Sequence, residues 1–455
     1  MNNRREFLGS WLPAGAVYAG QAGGWRDVIA HGAASNGKSL STHAIQQAIE
    51  ACAAAGGGTV YFPPGVYLSG ALVLKSRVRL YLEAGATLLG SPSLSDYPSQ
   101  VARLRSYTDN YTEKSLLYAE GAENIAIAGD GALDGQGGAF QGPYKVRPYM
   151  LRFIACRRVS VTGVLFKDSP MWVQHYLGCE DVNIRGITVR SRINANNDGI
   201  DIDACDNVRI SDCDVSSGDD AIVLKSTLDR PCRRVAVSNC VLSSHCNALK
   251  LGTETNGGFE DIVISNCAVY DTRLSGVALE IVDGGTMDRV AVSNLTMNNV
   301  GAPIFIRLGN RARPFLDGGA KPGVGKLRNV TLANFEVSGG SRVGCAISGI
   351  PGHRIENLTM DNIRMEFVGG GTMADAGRDV PENEDKYPEH HMFGTLPVYG
   401  FFLRHARNVR LRSVQTGYLG AEERPALSAR DVEGLEMEGC RFAPPRQGPA
   451  VRLPG

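Results

Sequence analysis

Two short acidic segments carry the residues best suited to chemistry: Asn196-Asn197-Asp198-Gly199-Ile200-Asp201-Ile202 and Ser217-Gly218-Asp219-Asp220-Ala221-Ile222-Val223-Leu224. Aligning Gly199 to Ile202 with Ala221 to Leu224 puts Asp198 and Asp220 at one register, with Asp219 one residue earlier. On neighbouring parallel strands, about 4.8 Å apart, the three carboxylates converge on one outer patch. Like charges this close raise at least one pKa and keep that carboxyl protonated near neutral pH. A protonated carboxyl beside an ionised one suits the cleavage of an acetal by water: one donates to the departing oxygen, the other activates the water. Read singly, an Asn-Asp-Gly run is a turn and two adjacent acids face solvent. Their shared register on successive coils points to catalysis instead.

Other candidates cluster around these acids. Lys225 and Lys250 project outward if Leu224, Leu249 and Leu251 point in, and would bind substrate or balance the aspartates. Asn196 opens the first acidic segment. Trp172, in Pro170-Met171-Trp172-Val173-Gln174-His175, lies one coil earlier, either outward as a stacking platform or in the core. The stretch Asp385 to Gly394 sits in a long insertion, and long loops are commonly functional, here to close one end of a cleft and favour attack at chain ends.

The positioning elements are a repeat. One phrase recurs as CRRVSVTGV, CEDVNIRGI, CDNVRISDC, CRRVAVSNC, FEDIVISNC, MDRVAVSNL, LRNVTLANF, IENLTMDNI and ARNVRLRSV. Its fourth residue is Val159, Val182, Val208, Val235, Ile262, Val290, Val330, Leu358 and Val409, so successive spacings are 23, 26, 27, 27, 28, 40, 28 and 51. This period fits coils of a β-solenoid better than longer helical repeats, and the alternation of apolar residues within each phrase is that of a strand. Four places after each anchor stand Gly163, Gly186, Asp212, Asn239, Asn266, Asn294, Asn334 and Asn362, types that tolerate a corner. Columns three before and five after are apolar and hold seven of the 11 cysteines, which therefore read as small buried hydrophobes. No zinc-type Cys/His spacing is present, so no metal is expected.

The 455 residues would ordinarily suggest several domains, but a solenoid grows along one axis without enlarging its core. With 47 Lys plus Arg against 47 Asp plus Glu, the chain has no basic footprint for nucleic acid or an anionic membrane. Hydrophobic residues at 43% exclude a disordered chain. Ala44 to Cys52 predicts a short amphipathic helix capping the first coil. Arg4-Arg5 before Phe7-Leu8 and an apolar stretch resembles a twin-arginine signal, so residues 1–24 are expected to direct export to the periplasm or medium. Residues 25–455 are then one soluble domain, since no later segment holds the ~18 apolar residues of a span.

The stretches AIQQAIEACAAAGGGTVYFPPGVYLSG from Ala44 and LKSRVRLYLEAGATLLGS from Leu74 resemble the cap and first coils of the pectate-lyase-like right-handed parallel β-helix superfamily. NNDGIDI, SGDDAIVLKS and SSHCNALKLG, starting at Asn196, Ser217 and Ser243, resemble glycoside hydrolase family 28, which contains the polygalacturonases and rhamnogalacturonan hydrolases. The resemblance covers roughly Trp25 to the C-terminus. It implies an all-β single right-handed parallel β-helix and inverting hydrolysis of a pectic polysaccharide or oligosaccharide by a monomer without cofactor. Asp219 would be the general acid and Asp198 with Asp220 the pair that positions the water. His245 would support the acid, although it sits in Ser244-His245-Cys246-Asn247 where the family has Gly-His-Gly; a surface histidine is the other reading. One coil on, where polygalacturonases carry Arg-Ile-Lys for a uronate, this chain has Ala278-Leu279-Glu280. Glu280 would repel a uronate placed there, so either the sugar is less acidic or a cation is relocated, with Arg307 as candidate or merely an exposed strand arginine. Alternatives to the hydrolase are a polysaccharide lyase on the same fold and a non-catalytic carbohydrate-binding solenoid.

Overall fold

The computed structural model describes residues 24–453. The expected export segment thus lies, but for its last residue, outside the described residues. The anchors of the repeat stack in register on parallel strands: Ile125, Val159, Val182, Val208, Val235, Ile262, Val290, Val330, Leu358, Val409 and Leu435 form one continuous ladder. The molecule is a parallel β-helix, as the period of the phrase requires. Spacings of 40 and 51 leave the ladder unbroken because their additional residues leave the coil as loops.

The corner column shows why its composition is narrow. From Asp212 (φ 59°) through Asn362 (φ 51°) these residues are left-handed, a region that costs most L-residues roughly 1–2 kcal/mol and that Gly, Asn and Asp tolerate. Their side chains also bond from coil to coil. Asn294 Nδ2 donates to Asn266 (2.9 Å), Asn334 to Asn294 (2.9 Å) and Asn362 to Asn334 (2.8 Å). Inside, Cys156, Cys179, Cys205, Cys213, Cys232, Cys240 and Cys267 are buried free thiols, stacked among Val, Ile, Phe and Leu.

The open N-terminal end is covered by the helix Thr42–Ala54, which buries Ile45, Ala48, Ile49 and Cys52 against the first coils. Gly56 to Gly58 end it with φ of 93°, 120° and 143°. A Cβ on Gly58 would lie 2.4 Å from the Gly24 carbonyl, so the return into the strand Gly58–Phe62 needs glycine. Four segments outside the strands, 91–114, 135–148, 309–325 and 368–400, lean over the same side of the helix and wall the site.

Candidate active site

The strands Ile200–Asp203, Ile222–Ser226 and Leu249–Thr255 pair in parallel, with Ile200, Ile222 and Leu249 facing the core. Alternation then sends Asp201, Val223, Lys250 and Ala278 outward in one row, and Asp203 and Lys225 in a second. Just before these strands, Gly199 N donates to Asp220 O (2.9 Å), which holds Asp198 and Asp220 at equivalent positions of consecutive coils.

Asp198, Asp219 and Asp220 line one cavity of about 250 Å³ with Asn196, Trp172, Lys225, Glu254, Arg313 and the tyrosines 107, 111, 144 and 387. One carboxylate oxygen each of Asp219 and Asp220 and the Cys246 sulfur lie within 4.8 Å of one another. Burial, then the Asp220 charge, raises the Asp219 pKa above the usual carboxylate range, against the opposing pull of Lys250. Asp198 is pushed well up by burial, Asp201 and Asp219, with Lys225 opposing. Asp220 is held as an acceptor: Asn247 donates through its backbone N (3.1 Å) and Nδ2 (2.8 Å), and Lys250 Nζ lies at 3.3 Å. Asp198 Oδ1 is buried without a hydrogen-bond partner.

The lysines point outward, as the alternation implies, into buried ion clusters. Lys225 Nζ lies 3.5 Å from Asp201, 3.6 Å from Asp198, 3.7 Å from Glu254 and 4.6 Å above the Trp172 ring. Lys250 reaches Asp220, Glu389 (3.3 Å) and Glu280 (4.0 Å). Trp172 is neither an open platform nor part of the solenoid core. It packs with Tyr149 and Met171 outside the coil and keeps one face toward the cavity. Asn196 has φ 57°, and its Oδ1 accepts from Arg147 Nη2 (2.9 Å).

Three expectations need correction. His245 is exposed and does not line the cavity, its pKa lowered by desolvation and by Arg192 and Arg273; Cys246 is the residue beside Asp219 and Asp220. The displacement by one residue follows from register, because Asn247 must enter the coil under Asp220. Arg307 is no relocated site cation. It is 1% exposed and donates to Ser348 Oγ, Gly349 O, Glu382 O and Asn383 O, pinning the long insertion to the helix. Nor does Glu280 face a substrate. That insertion lays Val380, Phe393, Leu396 and Val398 over Ala278, Phe305, Ala346 and Phe402, so the row is roofed. Glu280 stays buried behind Lys250, its pKa pushed well up by desolvation.

Sequence reasoning missed Glu254, Asn247, Arg313 and the four tyrosines. Glu254 had a signal, since it closes the Lys250 strand, as did Asn247 beside the histidine. Arg313 and Tyr107, Tyr111, Tyr144 and Tyr387 sit on loops outside the repeat, and no column places them. The insertion at 385–394 contributes Tyr387 to the cavity and Glu389 to Lys250, whereas His390 is buried and its pKa lowered to about 4 by desolvation and His391.

Known proteins bear on this arrangement. A probable polygalacturonase of Vitis vinifera is 32% identical over 220 residues, 44% of this chain and 44% of that protein, so the chain spans less than half the length of the curated relative it matches. The crystal structure of a hyperthermoactive exopolygalacturonase from Thermotoga maritima superposes with a TM-score of 0.69 at 23% identity, covering 86% of this chain and 91% of that one. The Streptococcus pneumoniae surface protein and adhesin PfbA has the same fold, with a TM-score of 0.55 at 15% identity over 94% of this chain and 99% of that one. The model of the glycosyl hydrolases family 28 matches residues 52–383, well over half of the chain and the whole carboxylate cluster, and the protein belongs to that family.

Proposed function

We propose that the protein is an inverting glycoside hydrolase that cleaves galacturonan- or rhamnogalacturonan-type pectic chains. The observation that carries this reading is the convergence of Asp198, Asp219 and Asp220 from consecutive coils on one cavity, with Asp219 biased toward its protonated form. Asp219 donates its proton to the departing glycosidic oxygen. Asp220, paired with Lys250 and hydrogen-bonded by Asn247, is the partner that activates water. Asp198, which lines the same cavity, positions that water, and the water attacks from the face opposite the leaving group, so configuration inverts.

The cavity, of about 250 Å³, is walled by loops as well as by the coil. Two of its loops are joined at the wall: the Arg313 guanidinium lies 3.5 Å from the Tyr107 ring centre, and between the same loops Asn110 Nδ2 donates to Asp317 (3.3 Å). This joined wall supports attack at a chain end. Export through the Arg4-Arg5 segment and action as a monomer belong to the same proposal.

The test is product chromatography on homogalacturonan, rhamnogalacturonan and their oligosaccharides with the wild type and Asp219→Asn. Saturated products of inverted configuration, lost in the variant while its folded spectrum is kept, are expected. Unsaturated, ultraviolet-absorbing products would identify a lyase, and binding without turnover would identify a carbohydrate-binding solenoid.

A further inference from the structure

The family position for holding a uronate carboxylate is roofed here by the long insertion, and the cations near the carboxylate cluster are mostly spent. Lys225 is shared among three carboxylates, and Lys250 among another three. Arg307 is consumed by backbone carbonyls and Ser348. Among the described residues lining the cavity, the other cation is Arg313, which pairs with Glu254 and, through Nε at 3.8 Å, with Asp283, and its side chain is 24% exposed.

Its placement is built rather than incidental. The backbone N of Arg313 donates to Asp283 Oδ1 (2.9 Å), a carboxylate with no exposure, and its carbonyl accepts from Asn256 Nδ2 (2.7 Å). Two residues earlier, Arg311 bonds Asp283 and donates to Thr253 O (2.9 Å), tying the loop to the coil of Glu254. The Arg313 guanidinium stacks on Tyr107, and its Nη2 donates to Glu254. Its Nη1 has no hydrogen-bond partner among the described residues and is not sealed from solvent. A planar fork held on one edge and open on the other is suited to a carboxylate.

We propose that Arg313 is the specificity-determining cation of this enzyme, delivered from the 309–325 loop instead of from a strand, and that it receives the carboxylate of a galacturonate ring in the cavity. This rests on the pectic reading above. It adds which residue reads the charge of the sugar and from which element.

The experiment separates the two claims. Binding of galacturonate and of galactose is measured by calorimetry on the full-length Asp219→Asn protein, alone and combined with Arg313→Ala or Arg313→Lys, with circular dichroism as a check of folding. Galacturonate affinity should fall about 10- to 100-fold with Arg313→Ala, as expected for loss of a charge-assisted hydrogen bond, and less with Arg313→Lys. Galactose affinity should stay within about twofold. An unchanged preference for galacturonate in a folded Arg313→Ala protein overturns the assignment, as does failure of the parent to bind galacturonate above galactose. Because this readout needs no turnover, absence of hydrolysis in the chromatographic test would sink the hydrolase reading while leaving the Arg313 result to be judged alone.

Discussion

Replacing Lys225 with Met removes the ammonium between Asp201, Asp198 and Glu254 while keeping most of the stem. At 3.7 Å the Lys225–Glu254 pair is worth about 4–5 kcal/mol at an effective dielectric near 20, Asp198 and Asp201 being pushed toward their protonated forms by burial, and burying the lysine takes several back. Removing one partner of such a cluster leaves buried charge uncompensated, so about 3–5 kcal/mol of stability is lost near pH 7. Burial pushes the Glu254 pKa up, but Lys225, Arg313 and Arg311 outweigh it and hold the group well below its usual 4.5. A depressed carboxylate contributes stability that is present above the unfolded pKa and lost as pH falls through the folded one. The cost of Lys225→Met is therefore largest above pH 5 and shrinks in acid, where the orphaned carboxylates protonate. With ~2.1 cal/mol/K per residue over some 430 residues, cooperative unfolding would translate 3–5 kcal/mol into a drop of about 3–6 °C. Thermal unfolding followed by near-ultraviolet circular dichroism at pH 4 and pH 7.5 measures it, with the Trp172 band reporting loss of the cation 4.6 Å above its ring. A shift below about 1 °C at both values, or one that grows in acid, would refute the account of this cluster.

Lys250→Met removes a charge that lowers the Asp219 pKa, so the alkaline limb of kcat/KM, where the general acid deprotonates, should move to higher pH while the rate falls; a limb that stays or moves down counts against Asp219 as the acid. His245→Ala should leave kcat within about twofold, whereas Asn247→Ala, which strips the Nδ2 donor from Asp220 and leaves the backbone one, should cost about 10- to 100-fold; steady-state kinetics on one oligosaccharide compares them. In the corner ladder, Asn294→Ala loses two amide bonds and keeps a left-handed φ of 56°, costing about 2–3 kcal/mol. Asn294→Gly should cost about 1 kcal/mol less, and equal melting temperatures for the two would show that backbone strain is not what selects this column.

The solenoid was legible because its physics is one-dimensional. Each coil sees only its neighbours, so Val208 and Val235 announce their pairing simply by standing at the same place in a phrase. Asn at a corner and Cys in a core column follow from the same rule. For the same reason Asp198, Asp219, Asp220, Lys225 and Lys250 were found, since all lie on or at the edge of repeating strands. A shift of one residue was enough to confuse His245 with Cys246, because at a coil entry the residue that turns inward is set by packing beneath Asp220.

Loops obey no column, and there the linear string was silent. Glu280 reads as an outward acid on its strand. Only the insertion folded across Phe305 and Phe402 turns its surroundings into an interior, with desolvation raising its pKa. Arg307 reads as an exposed cation until the same insertion supplies carbonyls to its guanidinium. The amino-acid sequence by itself determined the parallel coils, their register and the carboxylates at the cavity floor, because local periodicity encodes them. The tertiary structure alone decided which charges are spent on one another, which row is roofed, and that Arg313 meets Tyr107 at the cavity wall, because those contacts join segments some two hundred residues apart.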